Sequence, residues 1–379
     1  MTLISITLNH GYPILMGDIL VTHRENIQFD YITPSFINGT KNIFNQIERK
    51  PHSFKQKLYI VNDQLCIGLG GNLNQMYSFL QACRAYFSHT VPSKLEFIDF
   101  IDHYPKEKRN RLIGFAILAT PDDSTEWVHF FVSKLGGCET LPHKYYQSIL
   151  ACGSGATEYL HQMSNSLTDI QELGAGGELQ FALQQNLMGI SRILTLELIN
   201  GKTLKEAWGV GFEMVYFASK SFRKVNNITF VFVLSTYNSI SGKVEGDKII
   251  NAVKYYYHND FQVIRSFKED KELGFIISTI DHEPNDYEKL EFPWLDYDSQ
   301  FNVVSFIVRL PNGKYYISHS VVIKTQLGLK NSNIVYDGNG SVLSISMNEK
   351  MKENLEEWIK SKGLNGLGGL MDSEYLDDV

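Results

Sequence analysis

Two pairs of short runs with a side-chain period of two open the chain, and they constrain its fold more than any other feature. Leu3 to Leu8 and Ile14 to Val21 flank Gly11-Tyr-Pro13, while Leu58 to Ile60 and Gln64 to Leu69 flank Asn62-Asp63. Alternation of this kind belongs to strands, and Gly, Pro, Asn and Asp between the runs supply turns, so two hairpins are predicted. The spacing then becomes helical over Asn74 to Tyr86, with Met76, Phe79, Leu80, Cys83 and Tyr86 on one face. Arg111 to Thr120 and Trp127 to Lys134 read as further strands. Gly155 to Met163 and Glu178 to Ile199 read as helices separated by Gly174-Ala-Gly-Gly177, and Phe212 to Ala218 and Ile228 to Leu234 return to strand. Strands, consecutive long helices and strands again predict an α+β fold, a four-layer αββα sandwich.

Beyond Tyr237, Gly242 to Tyr257 reads as a helix. Leu273 to Ile280, Asn302 to Leu310, Lys314 to Ile323 and Val342 to Met347 read as strands, with a turn at Asn312-Gly313. Asn348 to Lys362 is a predicted helix with Met351, Leu355 and Trp358 on one side. After Gly363 come several glycines and the acidic Asp372, Glu374, Asp377 and Asp378, which suit a flexible tail. The expected organisation is a first domain over 1–239 with an insertion at about 25–56, a C-terminal α+β accessory region over 240–362 and an acidic tail over 363–379. The length of 379 residues fits two domains, at the usual roughly 100 to 200 residues each.

Net charge and composition narrow the partners. A net charge of -7 with 20% charged residues carries no polyanion-binding signature, which argues against nucleic acid. No run reaches the roughly 18 apolar residues of a membrane-spanning helix, and no signal peptide is recognised, so a cytoplasmic protein without membrane attachment is expected. Cys66, Cys83, Cys138 and Cys152 are widely spaced without a C-x-x-C and read as reduced and buried. His10, His52, His89, His103 and His129 show no ligand spacing, and neither a metal nor a cofactor is assigned.

The chemistry starts at the second residue. Removal of Met1 would leave Thr2 with a hydroxyl nucleophile and a free α-amine. A threonine hydroxyl needs a base to take its proton, and the N-terminal amine can serve. Its unperturbed pKa of about 7.7 to 8.0 leaves it partly neutral near physiological pH.

Three segments give this residue a context. Thr2-Leu-Ile-Ser-Ile-Thr-Leu-Asn-His-Gly-Tyr-Pro-Ile-Leu-Met-Gly-Asp18 places a carboxylate sixteen positions after the threonine. Lys57-Leu-Tyr-Ile-Val-Asn-Asp-Gln-Leu-Cys-Ile-Gly-Leu-Gly-Gly71 spans fourteen, and Cys152-Gly-Ser154-Gly-Ala-Thr157 follows later. Together they resemble the proteasome β-type N-terminal-nucleophile hydrolases, in their first hairpin, their Lys-to-Gly strand pair and the Gly-Ser-Gly turn that opens the third helix. The resemblance implies that Thr2 is the nucleophile and Lys57 a buried ammonium favouring its alkoxide-like form. Asp18 would hold Lys57, the Gly71 N–H would bind the oxyanion, and Ser154 would support the amine. It also implies that Thr22 bonds substrate backbone, that Val21, Leu69, Leu73 and Tyr77 line an apolar specificity pocket, and that the αββα architecture and assembly into oligomers or with partner subunits apply.

The sequence departs from that family in Leu20, where an Arg is usual, and in the insertion after Asp18. The family's later Asp-x-x-Ser-Gly-Gly motif has no intact counterpart; Glu206-Ala-Trp-Gly209-Val-Gly211 and Glu197 are the nearest segments, and neither is given a role. Taken singly, the residues also have structural readings: Asp18 in a hairpin, Lys57 at a solvated strand end, Gly68, Gly70 and Gly71 in a turn, Ser154 as an N-cap, Leu69 in the core. Two functions follow from the pattern. One is an N-terminal threonine peptidase or amidase acting on a peptide or protein; the alternative is a catalytically inactive proteasome-like scaffold or binding protein.

Overall fold

The structure, a computed structural model, describes residues 3–9, 11–23, 32–36, 50–120, 122, 124–131, 138–141, 148–165, 177–268, 271–281, 300–323, 332–336, 342–347, 349–362 and 371–372. The fold is α+β. The first half of the chain runs β1 (Leu3–Asn9), β2 (Tyr12–Asp18), β3 (Leu20–His23), β4 (Lys50–Phe54), β5 (Leu58–Asn62), β6 (Leu65–Gly71), helices α1 (Leu73–Phe87), α2 (Lys94–His103) and α3 (Lys106–Arg109), then β7 (Leu112–Ala119), β8 (Thr125–Phe130), β9 (Cys138–Leu141) and β10 (Ser148–Gly153). Next come α4 (Ala156–Asn165), α5 (Gly177–Asn200), the short α6 (Lys202–Lys205), β11 (Phe212–Ala218), β12 (Ser221–Lys224), β13 (Ile228–Asn238), β14 (Lys243–His258), β15 (Phe261–Lys268) and β16 (Lys271–Ile277). The remainder comprises β17 (Phe301–Arg309), β18 (Lys314–Ile323), β19 (Ser332–Tyr336), β20 (Val342–Met347), α7 (Glu349–Lys362) and β21 (Met371–Asp372).

Alternation along β1 and β2 decides what packs where. These strands sit centrally in a six-stranded sheet ordered β12-β11-β2-β1-β10-β9. Leu3, Ile14 and Met16 join a cluster with α4 and α5, while Ile4, Ile6 and Leu15 face Leu58, Cys66, Phe115 and Ile117 of a four-stranded sheet ordered β5-β6-β7-β8. The other face of the four-stranded sheet, through Tyr59, Ile67, Leu69 and Leu118, meets Phe79, Leu80, Cys83 and Phe97 of α1 and α2. Because β7 is covered on both faces, its sequence Leu-Ile-Gly-Phe-Ala-Ile-Leu-Ala is an unbroken apolar run. Helix α2 begins at a capping box, with the Ser93 hydroxyl accepting from Glu96 N–H and the Glu96 carboxylate accepting from Ser93 N–H.

Helix α5 is buried nearly all round because it lies between two sheets. On one side Thr7 Oγ1 of β1 donates to Asn186 Oδ1 at 3.0 Å; on the other, the Ser191 and Ser305 hydroxyls bond at 2.5 Å. Ser305 belongs to a seven-stranded sheet, β16-β15-β14-β13-β17-β18-β21, antiparallel except between β13 and β17. Its far face packs Val231, Val233, Val304 and Phe306 against Leu355 and Ile359 of α7. The β13–β14 hairpin crosses position 239, and the α5 cluster takes in Phe230, Val253, Tyr255, Val303 and Ile307, so one apolar core joins both sides of that position.

The helix expected over Gly242 to Tyr257 is corrected to the strand β14. Val253-Lys-Tyr-Tyr-Tyr257 favours a pleated surface, and pairing with β13 and β15 overrides the helix-like spacing of the apolar residues. The run Ile14 to Val21 breaks at Ile19, where the chain leaves the six-stranded sheet: Ile19 N–H donates to Gly211 C=O, and β3 pairs with β4 instead. The cysteines are also corrected. Cys138 and Cys152 oppose each other across β9 and β10 with Cα atoms 4.3 Å apart and are joined in a disulfide, whereas Cys66 and Cys83 are free and buried. Among the described residues no helix is long and apolar enough to cross a membrane. Thr2, His10, the Asn38-Gly39 turn, most of the stretch at 25–56 and the tail over 363–379, apart from β21, lie outside the described residues.

Gly155 sits against the fully buried Trp208, where a Cβ would approach the indole to 2.4 Å. Gly155→Val is expected to destabilise the protein by about 1 to 3 kcal/mol through overpacking, read as a lowered denaturation midpoint; an unchanged midpoint would contradict this packing.

Candidate functional site

Asp18 ends β2 where the chain changes sheets, and its carboxylate has no exposed surface. Among the described residues, donors from β1, from the entry to β5 and from the loop after α6 converge on it. Leu3 N–H and Lys57 Nζ donate to Oδ1 at 2.8 and 2.5 Å, and Gly209 N–H donates to Oδ2 at 3.1 Å. Lys57 Nζ also donates to Leu20 C=O at 2.8 Å, and the side chain is 3% exposed. Burial lowers the Lys57 pKa, and the Asp18 charge and hydrogen bond, followed by the Glu213 charge, oppose that shift. The solvated strand end is therefore excluded as a reading of Lys57.

The backbone of Lys57 is held independently of its ammonium. Glu213 of β11, itself buried, accepts Lys57 N–H at 2.6 Å and Leu58 N–H at 3.2 Å through Oε2. Its Oε1 accepts Lys224 Nζ at 2.8 Å and the Tyr257 hydroxyl at 3.2 Å, and the Lys224 ammonium lies 4.7 Å from the Tyr257 ring centre. The preceding residues dock on the seven-stranded sheet. Gln56 Nε2 donates to Asp260 C=O at 2.6 Å and Ile277 C=O at 2.7 Å, and Lys55 Nζ donates to the Ser278 hydroxyl.

The segment after α5 supplies the third wall. Helix α5 closes at Gly201, in the left-handed region at φ 60°, and Glu197 lies in its last turn. Ala207, Gly209 and Val210 have φ of 61°, 95° and 73°. For β-branched Val210 this is a strained backbone, of the kind that persists where neighbours over-determine it. The bends turn Gly209 N–H to Asp18 and Val210 N–H to Glu197 Oε2 at 2.9 Å, an amide nest around two buried carboxylates. Glu197 also accepts the Ser35 hydroxyl at 2.5 Å and the Thr203 hydroxyl at 2.6 Å, and burial raises its pKa. A Cβ at Gly209 would lie 2.6 Å from Glu197 Oε2, so this approach requires glycine.

Ser154 follows β10. The register pairs Leu3 with Gly153, which sets Ser154 beside the start of β1, and its buried Oγ has no hydrogen-bond partner among the described residues. Leu69 N–H donates to Lys57 C=O at 2.9 Å, so Gly71 lies two residues beyond the strand position opposite Lys57. Gly71 has φ 123°, and a Cβ there would meet Arg111 C=O at 1.9 Å. Val21 and Thr22 are half-buried in β3, next to the Leu20 carbonyl that binds Lys57. Leu69 has no exposed surface and belongs to the core with α1 and α2; Leu73 packs against the same core, and Tyr77 is exposed.

The structure thus brings Asp18 and Lys57 into contact and adds Glu213, Gly209 and Glu197 around them. Glu213 carried no sequence signal beyond a charge within an apolar strand, Phe-Glu-Met-Val-Tyr-Phe-Ala. A second cluster, His129 with Cys138 and Cys152, was also not foreseen. No protein-family model matches the sequence, and no curated protein matches it.

Because the folded state raises the Glu197 pKa, it keeps this proton at pH values where the unfolded chain has lost it. That contribution is complete below the ordinary glutamate value and disappears as pH rises through the elevated one. Relative to Glu197→Gln, wild-type stability should therefore fall as pH increases above about 4.3. Thermal melts across that range check this, and a pH-independent difference between the two proteins would contradict it.

Proposed function

We propose that the chain is an N-terminal threonine hydrolase of peptide or amide bonds, built on a four-layer αββα sandwich and activated by removal of Met1. Three stacked apolar clusters support the architecture: one between α1/α2 and the four-stranded sheet, one between the two sheets, and one between the six-stranded sheet and α4/α5. The observation that carries the reading is the buried carboxylate of Asp18 shared between Lys57 Nζ and Leu3 N–H, because the Leu3 nitrogen is the atom to which Thr2 is covalently joined.

In this mechanism the Thr2 amine takes the hydroxyl proton as the oxygen attacks the substrate carbonyl. The Lys57 ammonium, kept charged by Asp18, favours negative charge on the attacking oxygen. The Gly71 N–H stabilises the tetrahedral oxyanion, usually a large electrostatic contribution in acyl transfer. The amine then passes its proton to the leaving nitrogen, and water cleaves the ester left on Thr2. Ser154, with an unpartnered hydroxyl beside the start of β1, suits a hydrogen bond to that amine. Val21 and Thr22 border the substrate side, and Leu73 contributes an apolar edge.

The test is the intact mass of untagged protein before and after incubation with a peptide epoxyketone, which closes a ring through both hydroxyl and amine of an N-terminal threonine. Loss of Met1 and a single adduct, absent in Thr2→Ala, are expected. Retention of Met1, or a free Thr2 that never labels, would overturn the hydrolase reading in favour of an inactive scaffold.

A further inference from the structure

We propose that His129, Cys138 and Cys152 form a zinc site that opens when the Cys138–Cys152 bond is reduced. The three residues come from separate strands. Cys138 on β9 and Cys152 on β10 are direct cross-strand partners, and His129 reaches them from β8 of the opposing four-stranded sheet. Its Nε2 lies 3.1 Å from Cys138 Sγ and 3.5 Å from Cys152 Sγ, and all the ligand atoms lie within 4.8 Å of one another. The imidazole is packed against Phe115, with ring centres 4.8 Å apart, and this contact fixes its direction.

Thiolate and imidazole donors suit zinc. With Zn–S of about 2.3 Å and Zn–N of about 2.0 to 2.1 Å, a tetrahedral centre sets N···S near roughly 3.5 Å and S···S near roughly 3.8 Å. The N···S distances already approach that geometry, so only the sulfurs need to separate. A dithiol supplies two electrons and two protons, is itself oxidised to a disulfide, and leaves Cys138 and Cys152 as thiols. Zinc then binds both as thiolates, two protons go to solvent, and the neutral Nε2 contributes its lone pair. Cys138 and His129 are half-buried, which gives reductant and metal a way in and lets water take the fourth position. The cluster lies two residues before Ser154, yet it uses none of the residues assigned to the hydrolase and stands or falls separately from that reading.

Full-length protein is reduced with a phosphine, desalted and titrated with zinc, with metal content measured by native mass spectrometry; cobalt serves as a spectroscopic substitute. One equivalent of zinc per chain after reduction is expected, none with the disulfide intact, and a thiolate-to-cobalt charge-transfer band should appear. Cys138→Ser and His129→Ala, both at half-exposed positions, should each weaken zinc binding at least about tenfold. Failure of the reduced protein to take up zinc, or equal uptake by the two variants, would overturn the site whatever the outcome of epoxyketone labelling.

Discussion

The buried ion pair between Lys57 and Asp18 is the interaction around which the first part of this protein is arranged. Neither group can be left alone in a dry interior, because desolvation of an unpaired ammonium or carboxylate costs several kcal/mol. Each is therefore paired: the carboxylate accepts from Lys57 and the N–H groups of Leu3 and Gly209, and the ammonium donates to Asp18 and the Leu20 carbonyl. These bonds draw together the start of β1, the end of β2, the entry to β5 and the loop after α6.

The seven-stranded sheet takes part in that arrangement. Gln56 is anchored to the backbone of Asp260 and Ile277, and Tyr257 shares Glu213 with Lys224, so residues beyond 240 hold the segment that carries Lys57. Helix α5 links the same sheet to β1 through Asn186 and Ser191 on its two sides. Removal of the C-terminal strands would expose α5 and loosen Lys57 together.

The first hairpins, the helices α1, α4 and α5 and most of the later strands were legible in the sequence, because each buries one face or both against a partner of matching period. The strand β14 was not, since Ile250 and Val253 also fit a helical stripe and only its neighbours β13 and β15 decide the matter. The contact between Asp18 and Lys57 was expected only from the family resemblance, since nothing local joins two residues 39 positions apart. Their supports were not: Glu213 and Gly209 meet the pair from 156 and 191 residues away in the chain, and no local pattern records such contacts. The facing of Cys138, Cys152 and His129 likewise comes from strand register and sheet stacking, which leave no ligand-like spacing behind.

The central claim, that Asp18 and Lys57 act as one unit on which the site depends, is tested most directly by a double-mutant cycle of Asp18→Asn and Lys57→Met in chemical denaturation. Each single change should cost about 3 to 5 kcal/mol by stranding the other charge, and the double variant should lose far less than their sum. Additivity to within about 0.5 kcal/mol would mean that the two groups do not depend on each other and would contradict the account.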